Sequence, residues 1–391
     1  MTPDTELEVK FIKAQNVLHQ VSRSIAFLGM WPEEITSSSR IRLAMYLTYH
    51  IFRVLMELIE FAMVLGNLQL TIDNVTNTGF QVAVILRLTS WRFNPKMRYA
   101  IEKFNEFHQR HEFQNTRELD VFIRYSEYSL AVYKIIRTTS VACVVSWYLT
   151  PFQNYLFAKL QNETFVFVYP FRMPPFEIFS RLDVAFLVHF TDIGMAYVSI
   201  CFALTYGLYF TIIHHICGQL VIMSDRVRNL RVDPTVSMAE VFRPIIEKHT
   251  AIIRVSKALD DCSNVFLLYE LLNTIIVIGL LAYYLIVDGD ASSAVIVNYS
   301  LATINILVLI FANCFMGQCL ENESMNLLEA FYDYQWHDMP LSYQRGLLIC
   351  MLCARSPLKM TAGKFYKFSL EGFTIILKSS MAVISMLRKT V

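Results

Sequence analysis

The sequence predicts an all-α, polytopic membrane protein with seven transmembrane helices, an inverted topology with the amino terminus in the cytoplasm, and the carboxyl terminus extracellular. Three observations carry this prediction. Only 17% of the 391 residues are charged and 55% are apolar or aromatic, with a mean hydropathy of +0.41. A soluble domain carries about 25% charged residues, so this chain has too few to cover a folded surface in water. Seven segments meet or approach the roughly 20 apolar residues that cross about 30 Å of hydrocarbon, and Lys and Arg gather in alternate loops, the pattern of cytoplasmic loops. The same composition excludes other classes. A net charge of +1 gives no long-range field for nucleic acid. With 12 Gly, 11 Pro and no low-complexity stretch, the chain is not a disordered or linker-rich one.

In chain order, the first span, 43–65, holds Arg53, Glu57 and Glu60, and the second, 68–86, has Asp73 near its start. The third, 138–158, is free of charge. The fourth, 184–213, carries only His189 and Asp192, and the fifth, 264–287, only Glu270. The sixth, 291–320, is again uncharged. The seventh, 365–387, is interrupted by Lys367, Glu371 and Lys378, which points to protein or water contacts more than lipid. The first 40 residues lack an uninterrupted apolar core behind a basic start, so no secretory signal is expected.

Loop charges set the orientation. Residues 1–42 carry five Lys or Arg, 87–124 carry eight, 217–260 seven and 321–364 four. The alternate loops 66–79 and 288–294 carry none, 158–182 carries Lys159, Arg172 and Arg181, and the tail carries Arg388 and Lys389. That is 24 on the assigned inside against five outside, opposite to a G-protein-coupled receptor. The loop 158–182 also has no cysteine to form the disulfide common at that loop in such receptors. Two acceptor triplets for N-linked glycans, at Asn74 and Asn162, fall in loops assigned to the outside.

Each polar constellation has two readings. Arg53, Glu57 and Glu60, spaced by four and three, share one helix face. They form either a seam beside a water-filled cavity or an ion pair bracing the bundle. Asp192 and Glu270 are lone carboxyls in apolar helices, marking a site or reaching water at a helix end. Cys350 and Cys353 make half a zinc site with no partner pair, so no metal and no cofactor are expected. There is no phosphate loop, nucleophile elbow or catalytic carboxylate pair, and no enzyme is predicted. The chain holds 29 Phe, 20 Tyr and 17 Met, many in the outer halves of the spans. Such side chains either line a pocket for small, largely apolar ligands or form the interfacial belt of any membrane protein. The pocket reading selects Phe80, Val84, Ser146, Trp147, Thr150, Phe190, Met195, Tyr283 and Tyr299, with Asn298 as a further polar contact. In the last span, Ser379, Val383, Met386 and Thr390 form a stripe that would line a conduit if four copies surrounded an axis, with Met386 closing it by dewetting.

The final third resembles the odour-tuning subunits of the insect odorant receptor family. The resemblance rests on Cys314, Gly317 and Leu320, then Glu323-Ser324, Ala330-Phe331-Tyr332 and Trp336. It continues in Ala354 to Leu358, Thr361 to Phe365, Ser369-Leu370, Phe373 and Ile376 to Ser380. It implies a heterotetrameric, odorant-gated, non-selective cation channel built with a shared co-receptor subunit in the plasma membrane of a sensory neuron dendrite, with no G protein required. On that reading residues 1–42 are a cytoplasmic segment and 43–320 hold spans one to six with an outer-half pocket for a small volatile ligand. Residues 321–364 anchor subunits together, and 365–391 contain the pore helix, with its gate at Val383, Met386 and Thr390, and a short tail. After Ser379-Ser380 the family often has a serine-tyrosine-aromatic run where this chain has Ala382-Val383-Ile384. A gustatory-type channel of the same superfamily is the nearest alternative. A secondary transporter would show inverted repeats, and the two halves of this chain are not similar.

Overall fold

In α2 (Ser37–Val64) the ordinary arrangement of a folded protein is reversed over residues 50–63: the charged residues are inside and most of the large apolar ones outside. His50, Arg53, Glu57 and Glu60 are buried, whereas Met45, Leu55 and Met63 are more than half exposed. Water would drive the opposite partition, so the surrounding solvent is hydrocarbon. The computed structural model describes residues 3–33, 35–162, 182–230, 237–287, 293–334 and 336–390. Much of the loop 158–182, including Arg172 and Arg181, lies outside the described residues.

The described residues form α1 (Pro3–Phe27), α2, α3 (Leu68–Phe93), α4 (Pro95–Phe107), α5 (Thr116–Leu160), α6 (Leu182–Thr191), α7 (Gly194–Arg228) and α8 (Met238–Val287). After these come α9 (Ser293–Asp333), α10 (Leu341–Ala354), a strand pair β1 (Thr361–Ala362) and β2 (Tyr366–Lys367), and α11 (Leu370–Thr390). Side-chain caps start the early helices. Thr36 accepts from the Ser39 amide, Asn67 from Leu70, and Asn115 from Glu118. Gly66 turns the chain between α2 and α3 at φ +105°, a conformation that L side chains avoid.

Among the described residues, four helical stretches, Thr116–Leu160, Val184–Arg228, Glu240–Ile286 and Ala294–Asp333, are long and apolar enough to cross a membrane. α2, α3 and α11 carry more charge and pack alongside them, α2 on α3, α3 on α8, and α11 on α8 and α9. α8, with 50 residues, is about 75 Å long, far beyond the hydrocarbon thickness. α7 is the central helix, buried at every position from Cys201 to Leu220 among α5, α9, α8 and α3.

The structure corrects three boundaries. α3 continues past Leu86 to Phe93, so Arg87 and Arg92 are buried helix residues rather than loop charges. The fourth span is broken between α6 and α7 at Asp192 and Ile193, where the Asp192 side chain accepts from the Gly194 amide at 2.9 Å. The seventh helix begins at Leu370 because residues 361–367 are held in a hairpin. At Gly317 of α9 a Cβ would lie 2.4 Å from the Phe368 carbonyl oxygen, so a hydrogen is all that fits where α9 meets the entry to α11. Gly317→Val should push these segments apart, costing about 1–3 kcal/mol and reducing cell-surface abundance several-fold in an epitope-accessibility assay.

Candidate ligand site and gate

A buried polar node sits where four helices meet. Arg87 of α3 forms a bidentate pair with Glu270 of α8: its Nη2 donates to Oε2 at 2.7 Å and its Nε donates to Oε1. Nη1 donates to Thr205 Oγ1 of α7 at 2.9 Å, and Tyr206 donates to Glu270 Oε2 at 2.6 Å. Asn313 of α9 donates to the Tyr206 hydroxyl at 3.1 Å. The guanidinium lies over the rings of Tyr206, Phe266 and Phe202, 3.9 to 4.8 Å from their centroids. Glu270 is therefore no lone carboxyl, and its partner is a residue that the sequence assigns to a loop. Asn313 Oδ1 is buried without a hydrogen-bond partner and belongs to a residue lining a small cavity with Phe80, Phe202 and Tyr206.

The seam on α2 resolves in the same way. Arg53 Nη1 lies 3.1 Å from Asp192 Oδ2 and Tyr49 donates to Asp192 Oδ1 at 2.7 Å, while Glu57 is 3.8 Å from Arg53. The interhelical ion pair thus ties α2 to the α6–α7 break. Asn74 corrects another expectation. Its helix begins at Leu68, it is 5% exposed, and its amide donates to the Glu57 carbonyl and to Glu60 Oε2, so it offers no free acceptor for a glycan. Asn162 is exposed just beyond α5, while Glu163 and Thr164 of its triplet lie outside the described residues.

The nine residues selected for a pocket fall into three groups. Phe80 meets Phe202 edge-to-face at 6.0 Å, beside fully buried Val84. Trp147 is buried 4.7 Å from the His189 ring, and Phe190, half exposed, stacks on Tyr148 at 6.5 Å. Ser146 and Thr150 lie on the same stretch of α5, where the Thr150 hydroxyl donates to the Ser146 carbonyl, and Met195 is buried near the start of α7. Tyr283 and Tyr299 are buried on α8 and α9, and the Tyr299 hydroxyl donates to Asp73 at 2.6 Å. Of the nine, Phe80 lines the cavity beside the node, whose volume of about 30 Å³ holds one water molecule and no organic ligand. Asn298 has a buried, unpartnered Oδ1. The sequence missed Arg87, Thr205, Tyr206 and Asn313. Only Asn313, a polar residue in an uncharged span, gave a signal that pattern reading could have used.

The last helix is bound to the bundle by a latch. In the turn joining β1 to β2, Gly363 and Lys364 have φ of +60° and +67°, and the Gly363 amide donates to the Asn264 carbonyl at 3.0 Å. Thr361 donates twice to Asp260 Oδ1 at 2.8 Å. Lys364 bonds both Asp260 and Asp261, Lys96 of α4 reaches Asp261 at 2.6 Å, and Lys367 reaches Glu321 of α9 at 2.7 Å. Lost hydration lowers the Lys364 pKa, but the two carboxylates outweigh it and the net shift is upward. Ser369 then caps α11 through the Gly372 amide. Along α11 the buried face is Ile376, Ser380 and Ile384. Val383 turns toward α8, where a Cβ on Gly279 would lie 2.7 Å from its Cγ1, so it does not share the free face assigned to it. Met386 is 64% exposed, and Lys378, Met381 and Ser385 are exposed beside it. The Thr390 side chain lies outside the described residues. Asp192→Ala should remove the Arg53 ion pair to the α6–α7 break while Glu57 stays beside Arg53, costing about 1–3 kcal/mol, read as loss of folded receptor by fluorescence-detected size exclusion, whereas Asp192→Glu should recover most of it.

Comparison with known proteins accounts for this architecture. The family model described as 7tm Odorant receptor matches residues 67–381. Odorant receptor 13a of Drosophila melanogaster is 25% identical over 351 residues, covering 83% of this chain and 81% of that protein. The odorant receptor coreceptor of Ooceraea biroi is 30% identical over 135 residues, 34% of this chain and 27% of that protein. The olfactory receptor OR5 of Machilis hrabei, solved in complex with eugenol, shares the fold with a TM-score of 0.83 at 13% identity, over 97% of this chain and all of that one. A multi-pass helical membrane protein with this family match along most of its length belongs to the insect odorant receptor family.

Proposed function

We propose that this chain is the odour-tuning subunit of an odorant-gated, non-selective cation channel, assembled with the co-receptor as a heterotetramer in the plasma membrane of a sensory neuron dendrite. Its amino terminus is cytoplasmic and its carboxyl terminus extracellular. Residues 321–364 serve as the cytoplasmic anchor between subunits, and Asn162 as the glycan acceptor. The observation that carries the reading is the attachment of α11. It has one face packed on α8 and α9 and an exposed face holding Lys378, Met381, Ser385 and Met386, and it is joined through the 361–367 hairpin to the same two helices that supply Glu270 and Asn313 to the node.

A small volatile molecule enters among α3, α5, α6, α7 and α9 and spreads the Phe80, Trp147 and Tyr299 groups, the cavity that Phe80 lines having a volume of about 30 Å³. Aromatic dispersion supplies most of the affinity, and Asn298 or Asn313 accepts a hydrogen bond. The ligand opens the channel only as far as it prefers the open arrangement. A tenfold preference is about 1.4 kcal/mol, which modest repacking supplies. Helix rearrangement in α8 and α9 reaches α11 through the latch and moves Met386 from the constriction, rewetting the pore.

Co-expression with the co-receptor and a volatile panel, read by calcium or current, tests this. Trp147→Ala should reorder the ligand ranking with gating kinetics unchanged, and Met386→Ala should raise unliganded current several-fold with the ranking unchanged. A current that requires a ligand gradient, or the two phenotypes exchanged, contradicts the assignment.

A further inference from the structure

At the inner end of α3 the pairing of charges stops. Elsewhere on the cytoplasmic side Arg117, Arg226 and Lys248 each meet a carboxylate, that of Asp225, Glu118 and Glu112 in turn. Arg92 and Arg98 instead spend donors on main-chain carbonyls in the link between α1 and α2. Arg92 Nη1 donates to the Trp31 carbonyl and Arg98 Nη2 to the next one, of Pro32, both at 2.6 Å. Two guanidiniums are thereby held near each other. The charges acting on Arg92 are those of Arg40 and Arg98, both repulsive. Among the described residues no carboxylate pairs with any of the three, and Glu34 of the same link lies outside the described residues. A guanidinium has five N–H donors, so most of theirs stay unused.

The cluster lies where the apolar surface begins. Arg40 and Arg98 are exposed, and Arg92 is largely covered. Ile41 and Phe93, next in sequence to Arg40 and Arg92, are more than half exposed, as is Met45 one turn further along α2. Large apolar side chains exposed directly beside uncompensated cations mark the boundary between hydrocarbon and headgroups. With the amino terminus in the cytoplasm, that boundary belongs to the inner leaflet, which holds the anionic lipids. An anion set between the guanidiniums relieves their repulsion and gives their unused donors oxygen acceptors. Three cations exceed what a singly charged headgroup neutralises.

We infer that this corner of α2, α3 and α4 binds an inner-leaflet phospholipid whose headgroup carries more than one phosphate. Arg40 and Arg98 hold the phosphates, the charge of Arg92 strengthens the field behind them, and the acyl chains lie along Ile41 and Met45. The test is binding of dioctanoyl phosphatidylinositol 4,5-bisphosphate to the full-length chain purified in detergent, read by native mass spectrometry and by the shift in melting temperature. Dioctanoyl phosphatidylcholine and free inositol 1,4,5-trisphosphate are the controls. Saturable binding of the bisphosphate lipid is expected, with each control at least roughly tenfold weaker. Arg40→Gln, at an exposed position whose side chain makes no hydrogen bond among the described residues, should weaken the lipid about fivefold, and Arg98→Gln by a similar factor. Arg117→Gln removes an exposed cation on the same side of the membrane that is already paired with Asp225, and should leave the affinity near wild type. Either control binding as tightly as the lipid, an equal loss in Arg117→Gln, undiminished binding in both Arg40→Gln and Arg98→Gln, or no saturable binding to the wild-type chain overturns the inference.

Discussion

The paired charge of Arg87 and Glu270 is the constraint around which the bundle is organised. Hydrocarbon offers no water to an unpaired guanidinium or carboxylate, so each of these groups needs the other wherever the helices lie within the bilayer. The pair fixes the rotation of α3 and α8 because a bidentate contact tolerates little change of angle. Thr205 and Tyr206 bring the central helix α7 into the same node, and Asn313 brings α9. Four helices are thereby held in register by polar groups, while the apolar surfaces around them supply packing without direction.

The rest of the structure extends this pattern toward each end. Arg53 and Asp192 repeat it at smaller scale, joining α2 to the break between α6 and α7. On α8, before Glu270 in the chain, Asp260 and Asp261 hold the hairpin that leads into α11. α8 therefore carries both the node and the latch, and α9 carries Asn313, Gly317 and Glu321 at successive points between them. A displacement at the node is passed along two stiff helices to the hairpin instead of being absorbed in a loop. The family residues Thr361 to Lys364, Ser369 and Gly317 have structural tasks here: turn, cap and close approach.

The helical membrane class, the span order and the family were legible in the sequence because they depend on composition and on periodicity summed over many residues. The partners were not. Reading α3 as ending at Leu86 left Arg87 in a loop and Glu270 alone, since a hydropathy ruler stops at the first charge and cannot see a pairing 183 residues away. Asn74 matched a glycan triplet, but the triplet does not report that α3 has already begun at Leu68. The stripe through Val383 and Met386 was placed on one face by spacing alone. The absence of a side chain at Gly279 draws Val383 onto α8, while Met386 is exposed. Of the aromatic residues chosen for the pocket, Trp147, Tyr283 and Tyr299 are buried, Phe80 is partly buried and Phe190 is exposed, and how they group depends on helix rotations that only the buried pairs determine.

A double-mutant cycle on Arg87→Met and Glu270→Met, with the melting temperature and surface abundance of each receptor as readouts, measures the central claim most directly. Each single change strands a buried charge and should cost about 3–5 kcal/mol, and the double variant, which strands none, should recover more than half of that loss. Losses that simply add, leaving the double variant worse than either single one, would contradict the account.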